Sequence, residues 1–387
     1  MTIVVGNIWA DYLPGSFVDS HASLRSHPGY ESFNLVEDLH AGVQPPDDHT
    51  LGRNVGSNFS ASGAGVVQRV RRRLTAPLRW RRFVDFCVEA IEEYEVSVIH
   101  AHFGTTAART VGIIEQTRRP GVVSLYGVDA SATLRDPAWR KPYQRMYETY
   151  SRFLVLSEVV RNRLVADGCP EGKIRIFNLP ARIERYPYRE RGTDGPVRFI
   201  TAARFTEKKG YDLLIPAFAR LVEDGFDATL TAIGYGTLKG QIEGDIERLG
   251  LQDRVRLRET DLTEDFHELF YSELESHDIF VLPSVTAPNG DDEGGPSMCL
   301  VCAQAAGLPV VCTRFPGSEI SVVEDVNGLY CEETVDSLLD TMRKLANRPE
   351  DWTPMGGDGH HRVVEQFSDQ GQNRILREIY ADLAESS

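Results

Sequence analysis

Short apolar runs recur along the chain, each closed by a cluster of Gly, Pro, Asn, Asp or Ser and most followed by a stretch of helical spacing. In the first half, Thr2 to Gly6, Val96 to Ala101, Val122 to Leu125, Arg152 to Leu156 and Lys173 to Asn178 read as strands. Tyr186 to Gly195, with Pro187, Gly192 and Gly195 among charged residues, reads as a linker. The same grammar then restarts with strands at Val197 to Ala202, Ala228 to Ile233, Val255 to Leu257, Asp278 to Leu282 and Leu308 to Cys312. Helices are expected at Tyr211 to Glu223, Phe266 to Leu274, Val335 to Asn347, His360 to Glu365 and Gln370 to Leu383. Alternation on this scale predicts an α/β fold of parallel sheets covered by helices. Two segments break the rhythm. Trp9 to Phe17, with Pro14, Gly15 and Ser16, reads as a glycine loop before a helix, where a ligand phosphate can approach the backbone. Residues 40–65, rich in Gly, Pro, Ser, Asn and Asp, read as a long mobile loop.

The chemistry gathers after the strand Asp278 to Leu282. A long acidic-glycine loop leads to Glu293-Gly294-Gly295-Pro296, and Ser297 is a plausible N-cap for a helix opening Met298-Cys299-Leu300 and closed by Gly307. The loop sits at the carboxyl end of a parallel strand, where open α/β sheets bind ligands, and a helix start offers free N–H groups to a phosphate. A carboxylate beside a phosphate is better matched to a neutral hydroxyl on the same ligand. Together they point to a sugar phosphate or nucleotide sugar; taken alone, Glu-Gly-Gly-Pro also reads as a solvated turn.

Other strand ends carry further candidates. His100-Ala101-His102 is read with its histidines on opposite faces of the strand, so that they do not share a metal, and with His102 as the better cleft candidate beside a purely packed role. Tyr126-Gly127-Val128-Asp129 is a polar strand-end loop, and Arg204 and Lys209 flank a loop where they can clamp a diphosphate or simply meet solvent. Gly234-Tyr235-Gly236 and Phe315-Pro316-Gly317-Ser318-Glu319 form turns.

Length and charge narrow the classes. A chain of 387 residues accommodates two domains, and a formal net charge of -15 argues against general nucleic-acid binding. No apolar window of about 18 residues is present, and the amino terminus lacks a basic and long apolar segment, so a cytoplasmic protein is expected. The six cysteines are scattered in apolar surroundings and suit a reducing compartment, with Cys299 and Cys302 read as small buried side chains rather than a metal or redox pair. Against this acidity, Arg69, Arg71, Arg72, Arg73, Arg79, Arg81 and Arg82 cluster among Val70, Leu74, Leu78, Trp80 and Phe83. Two readings stand: peripheral contact with an anionic membrane or a diphosphate-linked lipid, or a solvated helix face paired with carboxylates.

The stretches ARFTEKKGYDLLIPAFARL, AIGYGTL, HDIFVLPSVTAPNGDDEGGPSMCLVCAQAAGLPVVCT and VEDVNGLY resemble, in order and spacing over about 130 residues, the family-four retaining glycosyltransferases, the glycosyl transferases group 1. HAHFG, LYGVDAS and the long PSVTAPNGDDEG loop are similar to the exopolysaccharide branch that includes the colanic-acid and amylovoran enzymes. The resemblance implies a GT-B architecture: two facing Rossmann-like domains, residues 1–188 (completed by 371–387) for the acceptor and 189–370 for the donor, with the final helix, around IYADL, returning to the N-terminal domain. It implies that Arg204 and Lys209 hold the donor diphosphate, that Glu293 meets hydroxyls of the transferred sugar, and that the backbone from Gly295 to Cys299 meets phosphate and sugar. Gly234, Gly236, Gly294, Gly295, Ser297, Met298, Cys299 and Cys302 complete the donor-binding set; Glu293, Tyr126 and His102 form the catalytic set; Gly15, Asp129 and Glu319 are further cleft positions. A nucleotide-sugar co-substrate, a glycan or lipid-linked glycan acceptor, no metal and no other cofactor follow, with transfer at the cytoplasmic face of a membrane.

Two positions depart from the family. Its second glutamate, eight positions after the first, falls on Val301, or on Cys302 when counted back from AQAAGLPVV, and its usual His is Tyr126 here. A lost ribose partner costs about 1–3 kcal/mol of donor binding. A non-catalytic scaffold partner for another glycosyltransferase, and a GT-B nucleotide-sugar epimerase, are the rival functions.

Overall fold

Most of the apolar runs become strands because they are buried within a parallel sheet, whose ladders pair their N–H and C=O groups, while the edge strands Ile174–Ile176 and Val255–Glu259 are partly exposed. The computed structural model describes residues 2–12, 29–40, 50–57, 66–192, 195–260 and 266–386. It divides into two compact units: one of Met1–Val155, Arg161–Phe177 and Asn373–Ser387, the other of Leu156–Val160 and Asn178–Gln372.

The first unit holds a parallel sheet of β1 (Ile3–Tyr12), β2 (Tyr30–His40), β3 (Thr50–Ser57), β4 (Val98–His102), β5 (Gly121–Ser124), β6 (Arg152–Val155) and β7 (Ile174–Ile176), in the order β3-β2-β1-β4-β5-β6-β7. The chain reverses its direction of travel across the sheet between β1 and β4, a topological switch point of the Rossmann kind. Three expectations are corrected here. The first strand does not stop at Gly6: Trp9 to Tyr12 are strand, held by parallel pairing that runs from Ile3↔Tyr30 to Tyr12↔Leu39. Residues 40–65 are not one loop, because Thr50–Ser57 pairs with β2 as an edge strand, although its sequence TLGRNVGS has little periodicity. His100 and His102 share one face of β4, since side chains two apart point the same way, and their rings stack at 4.2 Å. Gly15 and the helix expected after it lie outside the described residues.

The helix Val66–Glu93 covers the arginine cluster. Arg79 is bound at 2.6 Å to Glu37, a fully buried carboxylate on β2, while Arg81 and Arg82 are exposed. The C-terminal helix Asp369–Glu385 lays Leu376, Tyr380 and Leu383 against Val5, Val98, Val122 and Leu154 of the first sheet. Burial of each such side chain contributes about 1.5–3 kcal/mol, which ties the chain's end to its beginning.

The second unit repeats the plan: β8 (Val197–Ala202), β9 (Ala228–Gly234), β10 (Val255–Glu259), β11 (Ile279–Leu282), β12 (Val310–Thr313) and β13 (Gly328–Cys331), in the order β10-β9-β8-β11-β12-β13. Here the switch point lies between β8 and β11, which pair through Ile279↔Phe199 and Phe280↔Ile200. One face carries Phe199, Leu214, Phe218, Val281 and Met342, the other Ile200, Phe280, Leu300, Val310 and Phe367. The expected linker Tyr186 to Gly195 is no free tether. Tyr186 is in the core, and the buried Arg191 guanidinium donates to the carbonyls of Leu274 at 2.8 Å, His277 at 3.1 Å, Gly307 at 3.4 Å and Ala306. No helix among the described residues is long and apolar enough to cross a membrane.

Candidate active site

Each switch point gathers one polar cluster. In the second unit, β8 ends in a loop that carries Arg204 and then the short turn Glu207–Lys209, and β11 ends in the loop leading to Glu293. Gly210, at φ +65°, follows the turn; a Cβ there would lie 1.9 Å from the Pro283 carbonyl oxygen, so only glycine lets the two loops touch. Lys209 thereby reaches Glu293, Nζ to Oε1 at 2.6 Å, and Ser284 Oγ donates to the same oxygen at 2.5 Å. Burial alone would raise the Glu293 carboxyl, but the Lys209 and Lys208 ammonium groups and the two hydrogen bonds outweigh it and hold it below the usual carboxylate range.

The neighbouring Lys208 has a different task. Its Nζ lies 3.0 Å from Asp291 Oδ1 and 2.9 Å from the Asp292 carbonyl, so one buried ammonium organises the acidic loop from within. Arg204 is exposed and makes no ion pair among the described residues. Gly234 closes β9 beneath the Ala203 carbonyl, and Phe205 N donates to the Tyr235 carbonyl at 2.8 Å just before Gly236, so these loops are pinned together. Gly294 and Gly295 precede the helix Met298–Ala305, whose N-cap is Ser297 as expected by position, though its side chain makes no capping bond. Val301 N bonds back to Ser297 O, leaving the amides of Met298, Cys299 and Leu300 without intrahelical partners by helix geometry. Cys302 sits deeper, its thiol against the Tyr186 phenol, and burial pushes the Cys299 thiol up to about 11, so both remain thiols at neutral pH. Glu319 is exposed on the short helix Ser318–Ser321 after β12.

In the first unit the cluster lies between β1, β4 and the loop after β5. His102 is fully buried, its ring 3.6 Å from the Trp9 indole and parallel to it within 1°. Asn7 Nδ2 donates to the Phe33 carbonyl at 3.3 Å, which turns Asn7 Oδ1 toward His102 Nε2 at 3.1 Å. His102 therefore carries its proton on Nε2, and its Nδ1 accepts from the Tyr126 hydroxyl at 2.6 Å. Burial, reinforced by the nearby Asp129 carboxylate, pushes the Tyr126 phenol well up, so it stays protonated and acts as a hydrogen-bonding group. Asp129 is buried below the loop: Oδ1 accepts from the amides of Tyr126 and Gly127, both at 3.0 Å, and Oδ2 from Gly104 N at 2.7 Å. Burial pushes its carboxyl up against the pull of these amides. Phe103, at φ +68°, sets its ring edge-on to Tyr126 with centroids 5.0 Å apart. A non-glycine residue there costs about 1–3 kcal/mol and clusters at functional loops.

Comparison with known proteins joins these clusters to a family. The Glycosyl transferases group 1 model matches residues 186–359, and the Glycosyltransferase Family 4 model residues 43–185. WcaL of Escherichia coli K12, named for colanic acid biosynthesis as a glycosyltransferase, is 30% identical over 301 residues, covering 76% of this chain and 72% of WcaL. The chain belongs to the group 1 glycosyl transferases. The amylovoran biosynthesis glycosyltransferase AmsK of Erwinia amylovora is 29% identical over 292 residues, 75% of this glycosyltransferase and 70% of AmsK. Among solved structures, HepE of Anabaena in complex with UDP superposes with a TM-score of 0.71 at 13% identity, covering 98% of this chain and 100% of HepE. The sucrose-phosphate synthase of Thermosynechococcus elongatus does so with a TM-score of 0.77 at 15% identity, over 100% of both chains. The fold is GT-B, built from two Rossmann-like domains.

Within this glycosyltransferase the sequence missed Lys208, Ser284, Asn7 and Trp9. Lys208 and Lys209 are adjacent, and only the turn decides which one faces the acidic loop. Asn7 and Trp9 were detectable in principle, since both sit on the strand that neighbours β4. Val301 and Cys302, where the family carries its second glutamate, are buried in the apolar core. Among the described residues, no group of three or more His, Cys, Asp or Glu is placed to hold a metal ion.

Proposed function

We propose that this chain is a retaining glycosyltransferase that moves a sugar from a nucleotide-sugar donor to a lipid-linked glycan intermediate of a surface polysaccharide. The observation that carries the donor half is the Lys209–Glu293 pair at the β8/β11 switch point, beside the first turn of Met298–Ala305. An arriving diphosphate offers Lys209 a stronger partner, and the released carboxylate accepts from a hydroxyl of the transferred sugar. Arg204 adds a second cation, and the amides of Met298 and Cys299 add fixed partial positive charge. All three act on the charge that builds on the departing diphosphate, the electrostatic contribution that usually dominates such steps. The protein supplies that charge itself, so the reaction in this reading uses no metal or other cofactor. Tyr126, whose hydroxyl donates to His102, serves in this reading as a hydrogen-bonding group for a sugar hydroxyl. The acceptor hydroxyl then attacks the face from which the diphosphate leaves, and the configuration is retained.

The polysaccharide half rests on AmsK and WcaL, named for amylovoran and colanic acid biosynthesis. We place the enzyme at the inner face of the cytoplasmic membrane, in peripheral contact through Arg81 and Arg82, since Arg79 is committed to Glu37. A non-catalytic scaffold is favoured by one observation, the apolar burial of Val301 and Cys302 at the ribose-clamp position.

Thermal-shift and nucleoside-diphosphate release assays against UDP-, GDP- and TDP-sugars, on wild type and Lys209→Ala, separate the two. Stabilisation and release by one donor in the wild type alone support the transferase. A wild type that neither binds nor turns over any of them is a scaffold.

A further inference from the structure

We infer that Ser284 is a positioning residue for Glu293: it keeps hold of one carboxylate oxygen when Lys209 turns to the donor diphosphate, so that the other oxygen stays aimed at the transferred sugar. The inference rests on the reading of Glu293 as the group that meets the sugar hydroxyls.

Two donors reach Glu293, and both take the same atom. Lys209 Nζ lies 2.6 Å and Ser284 Oγ 2.5 Å from Oε1. No other described residue donates to this carboxylate, so Oε2 is left without a protein partner and keeps contact with solvent. A carboxylate ion only accepts, so the serine hydroxyl must donate, and the bond has the length of a charge-assisted one.

The two donors differ in how far they can move. Lys209 carries its ammonium on a four-carbon stem with several rotatable bonds, which lets it follow a phosphate. Ser284 carries its hydroxyl one bond from Cβ, on a backbone pinned from two sides. Thr313 Oγ1 donates to the Ser284 carbonyl, and the next amide, Val285 N, donates to the Lys208 carbonyl at 2.8 Å. Thr313 is in place for this because β11 and β12 pair through Leu282↔Cys312, one residue before it. Ser284 and Thr313 are both fully buried, so water does not compete for either hydroxyl. When a diphosphate draws Lys209 away, the carboxylate loses one donor and Ser284 is the one that remains to stop it rotating. Lys209 is thus the exchangeable partner and Ser284 the permanent one.

The test compares Ser284→Ala with Glu293→Ala and with the double variant. Two quantities are read: nucleoside-diphosphate release from whichever of UDP-glucose, UDP-galactose, UDP-N-acetylglucosamine, GDP-mannose and TDP-rhamnose the wild type hydrolyses, and affinity for the free nucleoside diphosphate. Ser284→Ala removes a single oxygen and leaves the Lys209–Glu293 pair in place. The expected result is a fall in kcat of about tenfold, a change in nucleoside-diphosphate affinity of less than about twofold, and no further fall when Ser284→Ala is added to Glu293→Ala. A wild-type kcat in Ser284→Ala, an equal loss of nucleoside-diphosphate affinity, or losses that multiply in the double variant would overturn the inference and leave the role of Glu293 standing. A wild-type rate in Glu293→Ala overturns both. If the wild type hydrolyses none of the five, carbon-13 titration of the Glu293 carboxyl, assigned by its absence in Glu293→Gln, decides independently of the transferase reading. Lys209, Lys208 and the Cys299 thiol face the same carboxyl and are unchanged in Ser284→Ala. Losing a hydrogen bond to the charged form raises the midpoint, so Ser284→Ala shifts it upward if the serine holds the carboxylate. A midpoint left in place means that Ser284 is only packed there.

Discussion

Lys209 Nζ sits 2.6 Å from Glu293 Oε1, with 10% of one side chain and 8% of the other exposed. The two residues are 84 positions apart and come from different strand ends, so the sheet's topology alone introduces them. An ion pair this buried gains little net stability, yet removing one partner strands the other charge.

Lys209→Ala should therefore lose donor turnover and also destabilise the fold by about 3 kcal/mol. Adding Glu293→Ala should restore much of the stability and none of the turnover. Urea denaturation of both variants checks this, and additive losses of stability would contradict it.

The pair also gives stability a pH dependence. The Glu293 carboxyl is depressed in the folded state, so its contribution is present above the unfolded value of 4.5 and is lost as pH falls through the folded one. Wild type should exceed Glu293→Gln in unfolding free energy at pH 7, and the gap should close progressively below about pH 4.5. A gap that widens in acid would mean that burial, not Lys209, dominates.

Lys208 should behave unlike its neighbour. Because it ties Asp291 and the Asp292 carbonyl together, Lys208→Ala should loosen residues 284–297, raising donor KM several-fold and opening that loop to proteolysis. Limited digestion followed by mass spectrometry reads the cleavage sites directly.

Arg191→Ala removes a guanidinium that satisfies four carbonyls, two of them at the end of Met298–Ala305 and its following turn. A loss of about 3 kcal/mol is expected from the unsatisfied buried acceptors. The folded fraction should keep its donor KM, since no part of Arg191 meets the donor in the proposed reaction.

Vesicle sedimentation tests the membrane contact. Arg81→Gln with Arg82→Gln should weaken binding to phosphatidylserine vesicles by roughly 30-fold, at about 1 kcal/mol per arginine, and leave phosphatidylcholine binding unchanged. Equal binding by wild type and variant would remove these arginines from the interface.

How far the sequence could be read depended on whether its signals were local. Glu293, Gly294, Gly295 and Ser297 were legible because a strand, a breaker-rich loop and a capped helix are written in consecutive residues. The strand Thr50–Ser57 was not, because its pattern is weak and its ladder partner β2 supplies the order. His100 and His102 were set on opposite faces although period-two alternation puts residues two apart together. That error hid the stacked pair from view. Arg79 belonged to a basic cluster by sequence, yet the fold spends it on Glu37, 42 positions away.

The sequence by itself determined two α/β units, the strand ends that carry polar loops, and the family to which they belong, because periodicity, turn chemistry and motif spacing are properties of neighbouring residues. Only the tertiary structure decided that Lys209 pairs with Glu293, that Lys208 turns inward, and that Tyr380 reaches His100 across 280 positions. These are meetings of buried polar groups, each of which must find a partner once water is excluded. Which partner lies within reach is set by the order of strands in the sheet, and that order arises from the whole chain packing at once.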